Sequence, residues 1–215
     1  MAVQILRDDQ RNKLDQSDDA LFYGEPRFVH HLDQSFRDRL TRLYRERIPA
    51  CATVLDLMSS WVSHLPDDVT YDRVIGHGLN EKELDENKRL DSHWVQNLNL
   101  DQKIPLKDDS IDVTLIVAGW QYLQQPEEVA EELFRITRPK GQIIVAFSNR
   151  AFWHKAPQIW TDYGDRDHLE YVGRVLFAQG WETPTFVAEQ TKSKGILGMF
   201  GGPGDPFFAV ISNKK

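Results

Sequence analysis

The sequence predicts an α/β fold with a doubly wound, mostly parallel sheet, and three observations carry that reading. From Thr53 onward, apolar runs at 54–57, 73–75, 94–96, 111–118 and 142–148 alternate with helical or loop segments, the pattern of right-handed crossovers between parallel strands. The runs are short, aliphatic and β-branched, as strands buried on both faces require. The first run, Thr53-Val54-Leu55-Asp56-Leu57, carries one carboxylate to its tip and then enters the polar turn Met58-Ser59-Ser60-Trp61. In open α/β sheets, ligands collect beyond the carboxyl ends of such strands.

Each element follows in order. Phe22-Tyr23-Gly24-Glu25-Pro26-Arg27-Phe28 is an aromatic, turn-forming arm, placed either to cover a site or to pack as a strap. Leu32, Phe36, Leu40 and Leu43 recur at helical spacing and predict an N-terminal amphipathic helix over 32–47, stopped before Pro49. Only the 15 residues 58–72, interrupted by Pro66, separate the first two strands, so the first crossover helix is expected to be one or two turns long. Asn80, with Glu83 three residues on, is a capping pattern that starts a helix. Val129, Leu133 and Ile136 form one stripe of a helix over 126–137, with Glu127 and Glu128 at its positive end and Arg135 at its negative end. A further helix is expected near 167–179. The glycine-rich stretch 195–204 is a candidate lid, and 207–211 reads as a last strand, an antiparallel edge.

Composition narrows the function. The chain of 215 residues carries a formal net charge of −7, which disfavours nonspecific nucleic-acid binding because that requires a basic face. A single cysteine, Cys51, fits a reducing compartment. Residues 1–10 lack the pattern of a secretory signal, and no run approaches the roughly 18 apolar residues that span a bilayer, so a soluble, cytoplasmic protein with no membrane partner is expected. The seven histidines show no recognised metal spacing, and no metal is expected.

The order of signals from about 50 to 150 resembles the class I S-adenosylmethionine-dependent methyltransferases, especially the small-molecule type 11 group. Val54-Leu55-Asp56-Leu57 resembles their first motif, Ile104-Pro105-Leu106-Lys107-Asp108-Asp109-Ser110-Ile111-Asp112 their loop and start of strand four, and Arg135-Ile136-Thr137-Arg138-Pro139-Lys140-Gly141 the turn before strand five. Phe147-Ser148-Asn149-Arg150 and the Ser-Ser-Trp substitution resemble an uncharacterised branch. The resemblance implies a seven-stranded Rossmann-like sheet and one methyltransferase-like domain over 1–215. Within it, 1–50 would be an arm and helix, 51–150 the cofactor-binding core, and 151–215 the C-terminal helices, glycine-rich loop and edge strands.

It also implies S-adenosyl-L-methionine as cofactor, a small-molecule methyl acceptor, and roles for particular residues. Asp56 matches the acid that supports the cofactor's methionine end, but the glycines that follow it in the family are absent. Gly78, in Gly76-His77-Gly78-Leu79, stands where the family has its ribose-binding acid. Asn97-Leu98-Asn99 resembles the segment that reads the adenine edge, with Asn97 as acceptor. Ala118-Gly119-Trp120-Gln121-Tyr122 follows strand four, where the family contacts the cofactor and begins its substrate pocket. Ser59, Ser60 and Trp61 are candidate donors to a methionine carboxylate, helped by the N-terminus of the short crossover helix. Gly76 and Gly78 would let the backbone pass close to a ribose. Tyr122 and His154, with Asn149 and Arg150, lie near the ends of strands four and five and are candidates to orient an acceptor or take its proton. A non-catalytic nucleoside- or protein-binding module on the same fold is the alternative.

Overall fold

The computed structural model describes residues 1–192 and 203–215. An N-terminal arm with one short helix, α1 (Asp19–Phe22), leads into α2 (Gln34–Arg47), which Asp33 caps by accepting from the Phe36 N–H at 2.8 Å. There follow β1 (Thr53–Leu57), β2 (Arg73–Gly78), α3 (Glu81–Glu86), β3 (Ser92–Val95), β4 (Ile111–Val117), α4 (Pro126–Ile136) and β5 (Thr137–Phe147). The chain ends in α5 (Gln158–Thr161), α6 (Asp165–Ala178), β6 (Thr185–Glu189) and β7 (Phe207–Asn213). Apart from the first crossover helix, the expected elements are present, with strand bounds moved by up to five residues.

All seven strands form one sheet in the order β3-β2-β1-β4-β5-β7-β6, parallel except where antiparallel β7 lies between β5 and β6. The run at 207–211 is therefore antiparallel but internal, and β6 is the edge. Alternation along β1 and β5 divides the core. Leu55, Leu57, Val145 and Phe147 pack with α4 and α6 on one face, whereas Val54, Ile144 and Ala146 pack with α2 on the other.

The first crossover corrects the expectation of a short helix: residues 58–72 contain none. Trp61, Leu65 and Tyr71 offer no 3.6-residue stripe, and Pro66 disfavours helical backbone at Leu65. The chain returns as irregular loop, burying Leu65 and Tyr71 under α2. Among the described residues no helix is long and apolar enough to cross a membrane.

Candidate functional site

The tips of β1 and β2 show how a loop without glycine is held. Met58 leaves β1 with φ +57°, the left-handed conformation for which a glycine is the usual choice and which costs an L-residue roughly 1–2 kcal/mol. His77 supplies the compensation. Its Nδ1 accepts from the Met58 N–H at 3.2 Å, its carbonyl oxygen accepts from the Ser59 N–H at 2.6 Å, and its Nε2 donates to the Gln96 carbonyl at 2.9 Å. A carbonyl can only accept, so the ring is the neutral Nε2–H tautomer, and burial pushes its pKa down to about 4. Asn87 donates to the Ser60 carbonyl at 2.9 Å, and the Ser60 hydroxyl donates to Glu83.

Gly78 belongs to the same arrangement. A Cβ there would stand 2.7 Å from the Ser59 carbonyl oxygen, so the loop after β1 occupies the space that a side chain at 78 would need. The path of the loop after β1 and the lack of a side chain at 78 thus go together. Gly76 makes room for Leu90, which a Cβ would meet at 2.3 Å, so it contacts packing rather than a ligand site.

Beyond these tips opens a cavity of about 470 Å³, within the range of small-molecule sites. Its floor is Ser59 and Ser60 beyond β1, with His77, Gly78 and Leu79 at and beyond the tip of β2. Asn97, Leu98 and Asn99 beyond β3, and Ala118, Gly119 and Tyr122 beyond β4, form the walls. The arm roofs it with Asp19, Tyr23, Arg27 and His31, and Phe152 and Trp153 close the side.

The roof is latched by buried charge. Lys13 bonds Asp19 at 2.7 Å, and the fully buried Lys155 pairs with Asp15 at 3.0 Å. Asn80 donates to the carbonyls of Tyr23 and Gly24 at 2.8 and 3.0 Å, and Glu83 accepts from the Arg27 N–H at 2.7 Å. Arg27 also lies 4.3 Å from the centre of the Phe22 ring.

Several expected site residues are placed otherwise. Asp56 and Trp61 open on a second, smaller cavity, because Asp56 shares the α2-facing side of β1 with Val54. Burial raises the Asp56 carboxyl to about 6. The expected carboxylate donors are engaged elsewhere: Ser59 donates to Asp56 at 2.9 Å, Ser60 to Glu83, and the Trp61 indole to the Val29 carbonyl at 3.3 Å. With no helix after β1, no helix N-terminus assists them. Trp120 is 1% exposed and belongs to the hydrophobic core, not to the cavity lining. His154 is exposed outside the cavity, its ring edge-on to Phe22. The 195–204 stretch falls on residues 193–202, outside the described residues, apart from its last two positions.

The residues that the structure brings together without a sequence signal for the site are Asp19, His31 and Glu83. Glu83 was legible only as a capping acid. Asn80 does accept from the Glu83 N–H at 3.1 Å, but the Glu83 carboxylate turns to Ser60 and Arg27. Gln121 is 1% exposed, and its Oε1 has no protein partner among the described residues. Asn97 has its carbonyl oxygen on the Asn99 N–H at 3.0 Å and its amide nitrogen on Asp18 at 3.2 Å, leaving one lone pair for a ligand. No cluster able to hold a metal ion occurs among the described residues.

Comparison with known proteins agrees with this architecture. Residues 59–145 match the family described as a methyltransferase domain. A demethylmenaquinone methyltransferase of Streptomyces avermitilis is 30% identical over 106 residues, covering 43% of this chain and 45% of that protein, so the match spans less than half of the relative. A chain from the complex between the Haloferax volcanii Trm112 methyltransferase activator and a methyltransferase superposes with a TM-score of 0.61 at 16% identity, covering 84% of this chain and 90% of that one. A Thermotoga maritima SAM-dependent methyltransferase gives 0.59 at 17% identity, covering 83% and 89%. The [4+2]-cyclase SpnF gives 0.57 at 14% identity, covering 91% of each chain, so the fold also carries other chemistry. Sheet order and solved neighbours show the fold of the class I S-adenosylmethionine-dependent methyltransferases, and residues 59–145 are similar to the methyltransferase-domain family.

Proposed function

We propose that this chain binds S-adenosyl-L-methionine with its adenosyl part in the 470 Å³ cavity and transfers the methyl group to a small molecule seated against the aromatic wall. The observation that carries the reading is the position of that cavity: at the carboxyl ends of β1, β2 and β4, on a class I sheet, beneath a latched arm. The lining suits the group. Asn97 and Gln121 offer free amide capacity, while Asn80 and Glu83 stand beside Gly78 as polar partners for ribose hydroxyls.

When bound, the cofactor supplies a methyl group already activated on a sulfonium sulfur. The protein then needs to align the acceptor, exclude water and accept a proton from an oxygen or nitrogen nucleophile. The arm excludes water. Tyr23, Tyr122, Phe152 and Trp153 present ring faces and edges, which favours a planar, largely apolar acceptor, and the demethylmenaquinone relatives support the same class. The Tyr122 hydroxyl accepts from the Phe152 N–H at 3.1 Å, and burial raises its pKa, so it positions an acceptor rather than deprotonating it.

His31 is the better proton acceptor. It lines the cavity, and burial beside Arg27 lowers its pKa, so it is neutral at pH 7. His77 also lines the cavity, but both its nitrogens are engaged.

Calorimetric titration with S-adenosylmethionine, S-adenosylhomocysteine and NAD tests the reading. Binding of both adenosyl ligands, with none for NAD, is the expected result. No heat from either adenosyl ligand up to millimolar concentration would overturn it. One observation favours a second reading, a non-catalytic binding module: Gly78 lacks the ribose carboxylate and has no room for one.

A further inference from the structure

The charged groups that line the main cavity are not equally partnered. Asp19 is bonded by Lys13, and Glu83 accepts from the Ser60 hydroxyl and the Arg27 N–H. The Arg150 guanidinium pairs with Asp205 at 2.6 Å. Arg27 is different: among the described residues its guanidinium pairs with no carboxylate and donates one hydrogen bond, from Nη2 to the Phe22 carbonyl at 2.8 Å. A guanidinium carries five N–H donors, so most of this one is unused.

Its surroundings are aromatic. The guanidinium carbon lies 4.3 Å from the centre of the Phe22 ring, 5.5 Å from Phe152 and 5.6 Å from Tyr23, and Tyr122 stacks on Phe152 with ring centres 6.2 Å apart. The unpaired cation therefore stands within the ring wall assigned above to the acceptor. Rings attract a cation through their faces, but the planar N–H fork is matched in shape and charge by a carboxylate, through two parallel hydrogen bonds. A phosphate dianion fits less well, because Arg27 is the one unpaired cation lining the cavity among the described residues, and the acids Asp19 and Glu83 line it too.

We infer that Arg27 holds a carboxylate of the methyl acceptor, which makes that acceptor an aromatic acid with its ring along Tyr122 and Phe152. This rests on the cofactor and acceptor reading above. Arg27 is then a residue of acceptor specificity, and it shares the arm with His31, so one segment supplies both the anchor and the group that takes the proton.

The test titrates 4-hydroxybenzoate and 4-hydroxybenzamide, alike in ring and hydroxyl but not in charge, by ligand-observed NMR into the protein saturated with S-adenosylhomocysteine. Wild type should bind the acid at least about tenfold more tightly, the scale of one hydrogen bond to a charged group. Arg27→Gln should bring the two affinities within about twofold of each other, and Arg27→Lys, which keeps the charge without the fork, should give a ratio in between. Should Arg27→Gln not fold, the lowered ratio in Arg27→Lys decides. A purely structural role in the arm would weaken both probes alike and leave the ratio unchanged, which overturns the inference, as does equal or absent binding of the two probes by wild type. A loss by Arg27→Gln on S-adenosylhomocysteine that 5′-methylthioadenosine, which lacks the amino-acid end, does not share would assign Arg27 to the cofactor and overturn it as well. In each of these cases the cofactor reading stands; failure of wild type to bind S-adenosylhomocysteine overturns both.

Discussion

Two crossovers of the same sheet are stiffened by different forces. Between β4 and β5, α4 buries Val129, Ala130, Leu133 and Ile136 completely against the face that carries Leu55, Ile143 and Val145. Each large aliphatic side chain buried there contributes about 1.5–3 kcal/mol. Between β1 and β2 there is no helix, and the loop at the cavity is held by His77, Asn87 and Glu83 through hydrogen bonds worth about 0.5–1.5 kcal/mol each. The helix of the apolar crossover is sturdy and lines no part of the cavity. The polar crossover is weaker, lies at the cavity floor and carries left-handed backbone at Met58 (φ +57°), with Ala118 (φ +48°) beside it at the tip of β4. Local stability is therefore lowest where a ligand has most to add.

The contrast breaks first at its sturdy end. Leu133→Ala should cost about 2–5 kcal/mol in denaturant unfolding, the range for a buried leucine leaving a cavity. A loss below about 1 kcal/mol would mean that α4 does not stiffen its crossover by burial.

Gly78→Ala should cost roughly 1–3 kcal/mol, the scale of overpacking, since the new Cβ meets the Ser59 carbonyl at 2.7 Å and backbone must move. Gly78→Asp meets the same obstacle, so restoring the missing acid should disturb the loop instead of tightening an adenosyl ligand. Unchanged unfolding midpoints would show that the loop yields freely.

Acid distinguishes the polar clamp from packing. His77 is held near 4 in the folded state against about 6.5 unfolded, so its stabilising contribution is full above pH 6.5 and is lost as pH falls towards 4. Asp56 acts in the opposite direction. Its carboxyl is raised from 3.8 to about 6, so its contribution is full below 3.8 and is lost as pH rises through 6. Between pH 7 and 5 wild type should lose about 2 kcal/mol more than His77→Gln, the linkage value for the His77 shift alone. Parallel pH profiles for the two proteins would remove His77 as the neutral clamp.

The smallest effect is also the most discriminating, because the same substitution should change sign between the regions. Ala130→Gly in α4 should destabilise by about 1 kcal/mol, whereas Ala118→Gly relieves left-handed backbone and should stabilise by roughly 0.5–1 kcal/mol. Equal signs in thermal unfolding would show that the left-handed conformation at 118 carries no strain.

What the sequence determined by itself is everything that repeats or caps locally. The 129, 133, 136 stripe specified α4, Asn80 specified the start of α3, and the apolar runs specified every strand but the mostly exposed β6, because periodic burial and capping depend on neighbours a few residues away. The strand tips located the cavity, since ligand sites in parallel sheets follow from topology. Tertiary structure alone decided who partners whom there. His77 bonds Met58 and Gln96, each 19 residues distant, Glu83 reaches Arg27 across 56, and Asp56 turns from the main cavity because its strand face is the one α2 covers. Irregular loops have no period, and a polar side chain chooses among several partners of similar strength. That choice is made only when packing has fixed which of them lie within about 3 Å.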